Sequence, residues 1–389
     1  MMSKLVTKPF RINVPDAVLA DIRTRLLNAH LPPAPPAPLA SSWQLGASHA
    51  FMLKLRAYWL DAYDWRKQEA ALNRFPQFTA EIDDHTIHFV HEKGSSTRPR
   101  PLLLLHGWPG SHVEFMHAVE RLAHPERFGG KAEDGFDVIV PSLPGFGFSS
   151  PNTSPTSPRK MAWLMARLMR DVLGYERYIA QGGDWGSLLS GWLAYEAPEC
   201  AGAHFNFFFW RNFTVQPEGD AEKAWSQRFA AAFEASNAYF KVHVGSPLTL
   251  AFGMEDSPMG AASWIIDKFH AWSDIGEGGI EASFTMDQLI TNVMTYLVNR
   301  AFTSALWYYP GYFLDFGTEP LPPDARITQP VGVASFPKEF LPWPPRSFVE
   351  RHMNVVRWRD MPSGGHFAML EKPDLLIPEI SGFANDIGF

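Results

Sequence analysis

One acidic residue stands at the centre of a tight, glycine-rich sequence, Gly182-Gly-Asp184-Trp-Gly186. A short apolar stretch precedes this sequence and an apolar helical stretch follows it. That order is typical of a nucleophile elbow, in which a strand turns sharply into a helix and bulky flanking side chains would collide. An acid near the start of a helix is also common in ordinary sheet proteins. The motif alone leaves both interpretations open.

Asp at this position, where Ser is usual, indicates a particular chemistry. A serine that attacked a saturated carbon would leave an ether, whereas a carboxylate leaves an alkyl ester. A water molecule activated by histidine can then hydrolyse that ester at its acyl carbon. Asp184 therefore predicts displacement at saturated carbon, with an epoxide or an alkyl halide as the substrate.

A second motif, His106-Gly-Trp108-Pro-Gly110, directly follows a predicted buried strand. In a fold with a nucleophile elbow, the loop after that strand supplies one backbone N–H of the oxyanion hole, and the residue after the nucleophile supplies the other. The expected donors are therefore the amides of Trp108 and Trp185. Without the elbow motif as its partner, this motif would be only a turn at the end of a strand.

The third motif, Ser363-Gly-Gly-His366, lies late in the chain and follows a predicted strand. The order nucleophile, acid, histidine is the one that such a fold uses, which favours His366 over the other histidines. Glu339 follows the preceding strand and would orient His366 and stabilise its charged form. Glu350 and Asp360 are the alternative acids.

The leaving group distinguishes an epoxide from a halide. A halide departs as a stable anion, whereas an opening epoxide becomes an alkoxide and needs a proton donor such as tyrosine, with a pKa of about 10. A helical lid is predicted at about 211–315, and it carries Tyr239 on one helical stretch and Tyr308 and Tyr309 near its end. By themselves these would be ordinary aromatic residues of a lid.

The elements around these residues alternate between apolar strands and helices, which predicts a doubly wound, mostly parallel sheet. Residues 1–98 form an N-terminal extension, and residues 99–389 form the catalytic domain with a helical lid inserted at about 211–315. The aromatic segment Phe205–Phe213 suits an apolar substrate, although buried sheet explains it equally well. Strands are predicted at 86–90, 101–105, 136–140, 178–180, 205–209, 331–334 and 354–358.

The composition argues against several other classes of protein. The chain has 389 residues, 46% hydrophobic and 19% charged, which is a globular balance. A net charge of −7, without a run of Lys or Arg, predicts no nucleic-acid partner. The single cysteine, Cys200, excludes an intrachain disulfide and suits the cytoplasm. The N-terminal residues contain no apolar stretch long enough for a signal peptide or membrane anchor, so we expect neither.

His85, His88 and His91 recur every three residues, which raises the question of a metal site. The β-branched residues around them predict a strand, in which the three side chains would not share a face. We therefore expect no metal.

Together, these motifs resemble the microsomal-type epoxide hydrolase family, including its soluble members, over nearly the full length of the chain. The resemblance implies an α/β-hydrolase fold with an N-terminal extension, hydrolysis of an epoxide to a vicinal diol by water, and no cofactor. The motifs that carry it are Pro9-Phe10, Tyr63-Asp-Trp-Arg66, Leu72-Asn-Arg-Phe-Pro-Gln-Phe78, Ile87-His-Phe89, His106-Gly-Trp-Pro-Gly-Ser111, Pro141-Ser-Leu-Pro-Gly145, Gly182-Gly-Asp184, Phe336-Pro-Lys-Glu339 and Gly364-Gly-His-Phe-Ala368.

The resemblance also implies a role for each site residue. Asp184 would be the nucleophile, Glu339 and His366 the charge-relay pair, and Tyr239 and Tyr308 the acids that activate the epoxide, with Tyr309 as a rival one residue away. The chain departs from the family pattern at 243–246, which affects pocket shape more than chemistry. The rival functions are a haloalkane dehalogenase with the same nucleophile and a ligand-binding relative without activity. A homodimer formed through the lid is a further expectation.

Overall fold

The computed structural model describes residues 6–210, 212–318 and 321–389. Within these residues, nine strands form one sheet: β1 (Thr7–Phe10), β2 (Gln77–Ile82), β3 (His85–Glu92), β4 (Pro101–Leu105), β5 (Asp137–Pro141), β6 (Tyr178–Gly182), β7 (Cys200–Phe205), β8 (Ile327–Ser335) and β9 (Met353–Asp360). Their order across the sheet is β1-β2-β3-β5-β4-β6-β7-β8-β9.

The strands from β4 to β9 are parallel to one another, whereas β1, β2 and β3 are antiparallel to their neighbours. All residues of β4, β5 and β6 are buried, because helices cover both faces of the sheet. This arrangement confirms the predicted α/β-hydrolase fold. It also brings the carboxyl ends of the parallel strands to one edge, where the site residues lie.

In the described part of the chain, the α-helices outside the lid pack around this sheet. Three belong to the N-terminal extension, three lie between β4 and β7, and three follow β8. They are α1 (Asp16–Leu27), α2 (His49–Asp61), α3 (Trp65–Leu72), α4 (Met116–Ala123), α5 (Pro158–Arg167), α6 (Asp184–Glu196), and, after the eight lid helices, α15 (Arg346–His352), α16 (Ala368–Glu371) and α17 (Pro373–Asp386).

The segment between β7 and β8 is the lid, and its described residues are mainly helical. The lid helices are α7 (Gly219–Ser236), α8 (Ala238–Gly245), α9 (Pro247–Asp256), α10 (Pro258–Ala271), α11 (Ile280–Ser283), α12 (Met286–Leu297), α13 (Phe302–Leu306) and α14 (Tyr308–Thr318). They place aromatic side chains above the carboxyl ends of the parallel strands.

The N-terminal extension contributes strands to the sheet as well as helices. From this part of the chain, the sequence predicted only a strand at 86–90, yet β1 and β2 also pair in the sheet, and β3 pairs with β5 with Phe89 opposite Pro141. Helix α2 reaches the lid, where the Tyr58 hydroxyl donates to Asp287 at 2.9 Å. The extension therefore joins the sheet to the lid.

The strand predicted at 205–209 is wrong in position. Strand β7 covers Cys200–Phe205 and ends where the aromatic run begins. Beyond it, Phe207, Phe208 and Phe209 leave the sheet and line a cavity beneath the lid. A run of apolar residues has the same composition in a buried strand and in a cavity wall, so the sequence could not separate the two.

Candidate active site

The backbone at Asp184 has the conformation of a nucleophile elbow. Strand β6 ends at Gly182, α6 begins at Asp184, and Asp184 has a φ of +48°, in the left-handed region that non-glycine residues rarely adopt. A Cβ atom at Gly182 would lie 2.3 Å from the Gly186 carbonyl, and one at Gly186 would lie 1.9 Å from the Leu105 carbonyl oxygen. The glycines on both sides of Asp184 are therefore required by the turn.

Three side chains from separate loops meet at this elbow. The Nε2 atom of His366 lies 3.4 Å from Oδ2 of Asp184, and its Nδ1 atom lies 2.8 Å from Oε1 of Glu339. Glu339 follows β8 and His366 follows β9, so the fold brings them to the same edge as Asp184. Of the alternative acids, Glu350 pairs with Arg346 on the surface and Asp360 accepts a hydrogen bond from Trp358 there.

The charge on His366 depends on its two carboxylate neighbours. Burial disfavours the charged ring, but the negative charges of Glu339 and Asp184 and their hydrogen bonds outweigh burial and raise the pKa of His366 to about 10. In the free protein at neutral pH, the ring is therefore positively charged. Any reaction that neutralises Asp184 removes part of this stabilisation.

The loop after β4 holds one oxygen of Asp184. The Trp108 amide donates to Oδ1 at 2.8 Å. A Cβ atom at Gly107 would lie 2.2 Å from the same oxygen, so only glycine allows the loop to approach this closely. Trp185 directly follows Asp184 in the elbow, and its backbone amide is the expected second donor of the oxyanion hole.

Of the lid tyrosines, Tyr239, Tyr309 and Tyr312 line the same cavity as Asp184, and the first two are candidates for the acids. The Tyr239 ring stacks on Trp108 with centroids 5.5 Å apart, and the Tyr309 ring meets Trp185 edge-on at 5.0 Å. Burial, together with the negative charge of Asp184, raises the pKa of both hydroxyls well above the ordinary value. Both tyrosines are therefore protonated at neutral pH and can donate a proton.

Tyr308, predicted as the second acid with Tyr309 as its rival, is not among the residues that line the cavity. It packs against Phe146 at a centroid distance of 5.3 Å, and its hydroxyl is buried without a hydrogen-bond partner in the described part of the chain. One step along a helix turns the side chain by about 100°, so only one of two successive tyrosines can face the cavity. Tyr309, and not Tyr308, is therefore the tyrosine that lines the cavity together with Tyr239.

The cavity has a volume of about 560 Å³ and a predominantly apolar wall. Besides the site residues, its lining includes aromatic side chains from the loop after β7 and from three lid helices, namely Phe207, Phe208, Phe209, Phe213, Phe229, Phe233, Phe240, Tyr312 and Phe313. Asn237 and Lys241 add polar groups to the wall. A cavity of this size and lining suits an apolar small molecule.

His243 occupies part of the segment that departs from the family pattern. Its Nε2 atom accepts a hydrogen bond from Trp264 at 3.0 Å, and its ring meets Tyr309 edge-on at 4.4 Å and Trp108 at 4.6 Å. Burial lowers its pKa well below the ordinary value, so the ring is neutral. At this departure from the family pattern, the His243 side chain therefore packs behind the cavity wall and supports it.

Two further observations concern metals and membranes. Among the described residues, no group of three or more His, Cys, Asp or Glu side chains has the arrangement of a metal site. None of the helices in these residues has the length and apolar character needed to span a bilayer.

Comparison with known proteins shows which family the chain resembles. The model for the epoxide hydrolase N terminus matches residues 7–115, and that for the alpha/beta hydrolase fold matches residues 100–240. The chain is 31% identical to epoxide hydrolase 1 of Sus scrofa, over 97% of this chain and 88% of that protein. It is also 31% identical to juvenile hormone epoxide hydrolase 2 of Ctenocephalides felis, over 96% and 84%.

A solved structure agrees with these matches. The epoxide hydrolase of Aspergillus niger superimposes with a TM-score of 0.84 at 32% identity, covering 98% of this chain and 96% of the other. The match extends over both the N-terminal extension and the lid. The resemblance that the motifs indicated is thereby confirmed.

Proposed function

Because this chain belongs to the epoxide hydrolase family of enzymes, we propose that it converts an apolar epoxide to a vicinal diol through an ester on Asp184. The observation that supports this most is the position of Asp184 between an apolar cavity and His366, with the protonated hydroxyls of Tyr239 and Tyr309 in the same cavity. A nucleophile, an acid and a base are therefore available to one bound ring.

In the first step, an oxygen of Asp184 attacks a ring carbon while the carbon–oxygen bond of the epoxide breaks. The ring oxygen takes a proton from Tyr239 or Tyr309, which becomes a phenolate. Because the Trp108 amide holds Oδ1, that oxygen becomes the ester carbonyl and Oδ2 forms the new bond. The site then contains a hydroxyalkyl ester of Asp184.

Formation of the ester removes one of the negative charges that hold a proton on His366, and the ring releases this proton to solvent. In the second step, water attacks Cγ of Asp184 and gives one proton to the neutral His366, which Glu339 keeps oriented. Negative charge develops on Oδ1, where the amides of Trp108 and Trp185 stabilise it. The bond from Cγ to the substrate oxygen then breaks, and this oxygen takes one proton from the water. The other proton returns to the tyrosine, so Asp184 is regenerated and the products balance.

The test of this function compares two substrate classes with purified protein and an Asp184→Ala control. We expect diol from styrene oxide, no halide from haloalkanes, and no activity in the control. Halide release without diol would favour a haloalkane dehalogenase, which the tyrosines in the cavity argue against. Binding of apolar ligands without any turnover would identify a ligand-binding relative.

We also propose a cytoplasmic location and a homodimer. The free thiol of Cys200 is buried in the core, which suits a reducing compartment. On lid helix α9, Leu248 is 52% exposed and Phe252 is 81% exposed, so this face is where we expect the subunits to meet. Sedimentation of wild-type protein and a Phe252→Asp variant tests the dimer, because only the variant should remain monomeric.

A further inference from the structure

A second, smaller space lies on the other side of Asp184 from the cavity. We call it the rear chamber. It has a volume of about 20 Å³, and its polar lining includes Asp184, His366, Glu114 and Asn206. Asp184 lines both spaces and therefore forms a wall between them.

The rear chamber is large enough for one water molecule. A water needs roughly 10–15 Å³ of accessible volume and two to four polar partners, and this chamber offers both. Once an ester has formed on Asp184, its alkyl group occupies the cavity in front. Water that attacks Cγ therefore has a free approach from the rear, on the side where His366 can take its proton.

Glu114 is placed in this chamber by the loop that carries Trp108. Its Oε1 atom lies only 1.4 Å from the point that a Cβ atom of Gly110 would occupy. A glycine at position 110 is therefore needed for the Glu114 carboxyl group to reach the chamber. The catalytic scheme above gives Glu114 no role, although it faces two of the residues in that scheme.

The ionisation of Glu114 is also unusual. Burial raises the pKa of its carboxyl group to about 8, with an opposing effect of His366 and a further increase from the negative charge of Asp184. The group is therefore mostly neutral at neutral pH. A neutral carboxyl group can accept a hydrogen bond from water at its carbonyl oxygen without competing with His366 for the proton.

We propose that the rear chamber holds the water that hydrolyses the Asp184 ester, and that Glu114 binds and orients this water. The inference rests on the proposed function, because it concerns the second step of that reaction. Glu114 accepts a hydrogen bond from one O–H of the water, while the other proton moves to Nε2 of His366 and the oxygen bonds to Cγ of Asp184. Glu114 itself neither gains nor loses a proton.

The test measures the two steps separately in Glu114→Leu and Glu114→Gln. Rapid mixing of enzyme with styrene oxide, acid quench and mass analysis of the Asp184 peptide give the rates of ester formation and decay. In Glu114→Leu we expect ester formation to change less than about threefold and ester decay to slow roughly 10²-fold, so that ester accumulates. Glu114→Gln keeps an acceptor oxygen and should retain most of the decay rate.

Ester decay at the wild-type rate in Glu114→Leu would overturn the proposal. An equal reduction in the rates of ester formation and ester decay would also overturn it, because it would indicate general damage to the site. If the wild-type protein forms diol but no ester at all, the proposed function fails in its mechanism. The two failures are therefore distinguishable. Melting temperatures of the variants establish that they are folded.

Gly110→Ala provides an independent variant in which Glu114 is chemically intact. The added methyl group should push the carboxyl group out of the rear chamber and slow ester decay. In a Glu114→Ala background the methyl group meets no carboxyl group, so Gly110→Ala should then have little further effect. Equal slowing by Gly110→Ala in both backgrounds would contradict the role of Glu114.

Discussion

At the residue scale, one imidazole lies among three carboxyl groups, to which we assign different tasks. Asp184 is 3.4 Å from His366 and exposed to the cavity, Glu339 is 2.8 Å from the opposite ring nitrogen, and Glu114 lies in the chamber behind. The two closest carboxylates keep the ring charged in the free protein. Conversion of Asp184 to a neutral ester would remove one of them, which lowers the pKa of His366 at the stage when it must act as a base.

This coupling predicts different pH dependences for the two steps. Ester formation requires no proton from or to His366, so its rate should vary little around neutral pH. Ester decay requires a neutral His366, whose pKa in the ester lies below the value of about 10 in the free protein. The decay rate should therefore rise with pH and level off above that lower pKa. Stopped-flow traces at several pH values check this, and decay that slows as pH rises through neutrality would contradict it.

Tyr309 and Tyr308 provide a matched pair of variants. Tyr309→Phe removes a hydroxyl from the cavity and should slow ester formation by about 10²-fold, the lower end of the usual contribution of a general acid, because Tyr239 remains. Tyr308→Phe removes a buried hydroxyl that has no partner in the described chain and should leave the rate nearly unchanged. Single-turnover kinetics with styrene oxide measure both. Loss of activity only in Tyr308→Phe would reverse the assignment.

The candidate site residues that the sequence indicates most clearly are those whose neighbours constrain them. Asp184 stands between glycines that the turn requires, and His366 follows two glycines after a strand. The choice between Tyr308 and Tyr309 depended on the rotation of one helix, which two adjacent aromatic residues do not reveal. Glu114 was missed because its side chain is brought to the site by a backbone loop and carries no glycine-flanked motif of its own.

At the element scale, Glu371 connects the lid to the loop that carries His366. Its carboxylate accepts hydrogen bonds from three backbone amides, at 2.7 Å from Asp274, 3.0 Å from Gly365 and 2.9 Å from Phe367. The His366 amide also donates to the Trp272 carbonyl oxygen in the lid. One carboxylate therefore fixes both neighbours of His366 relative to the lid.

Glu371→Ala should destabilise the protein by about 3 kcal/mol, because it leaves buried amides without acceptors. It should also slow ester decay, since both residues next to His366 lose a hydrogen bond. Glu350→Ala is the control, because Glu350 makes an exposed pair with Arg346 that contributes less than about 1 kcal/mol. Urea unfolding measures both variants, and equal stabilities would contradict the role of Glu371.

The parallel strands were predictable as elements because each is a short apolar run with turn residues at its ends. The run at 205–209 was not, since β7 ends at Phe205 and the following side chains line the cavity. Whether such a run forms a strand or a cavity wall depends on its tertiary position. This run lies at the carboxyl end of a strand and beneath a lid. Composition and periodicity contain no information about that position.

At the scale of the whole molecule, the N-terminal extension completes the sheet and supports the lid. Strand β3 covers the edge of β5, and α2 contacts the lid through Tyr58 with Asp287 and through Lys54 with Glu281. The Tyr63 hydroxyl adds a 3.0 Å hydrogen bond to Thr291. The sequence predicted that the extension exists, but pairing between distant strands could not be read from local pattern.

A chain that begins at residue 99 should therefore fail to fold on its own. Removal of β1 to β3 exposes the edge of β5, where Val138, Ile139 and Val140 are otherwise buried, and such apolar edges promote aggregation. The soluble fraction after expression, compared with that of the full chain, tests this expectation. Co-expression of residues 1–98 should restore part of the soluble protein, whereas soluble and active 99–389 alone would contradict the argument.

Isotope labelling during a single turnover is the most direct test of an ester on Asp184. Enzyme in excess is mixed with an epoxide in ¹⁸O water, and the Asp184 peptide and the diol are then weighed by mass spectrometry. We expect ¹⁸O in the Asp184 carboxylate and none in the diol, because the diol takes its second oxygen from Asp184. Label in the diol, with an unlabelled Asp184 peptide, would mean direct attack by water and would rule out the ester.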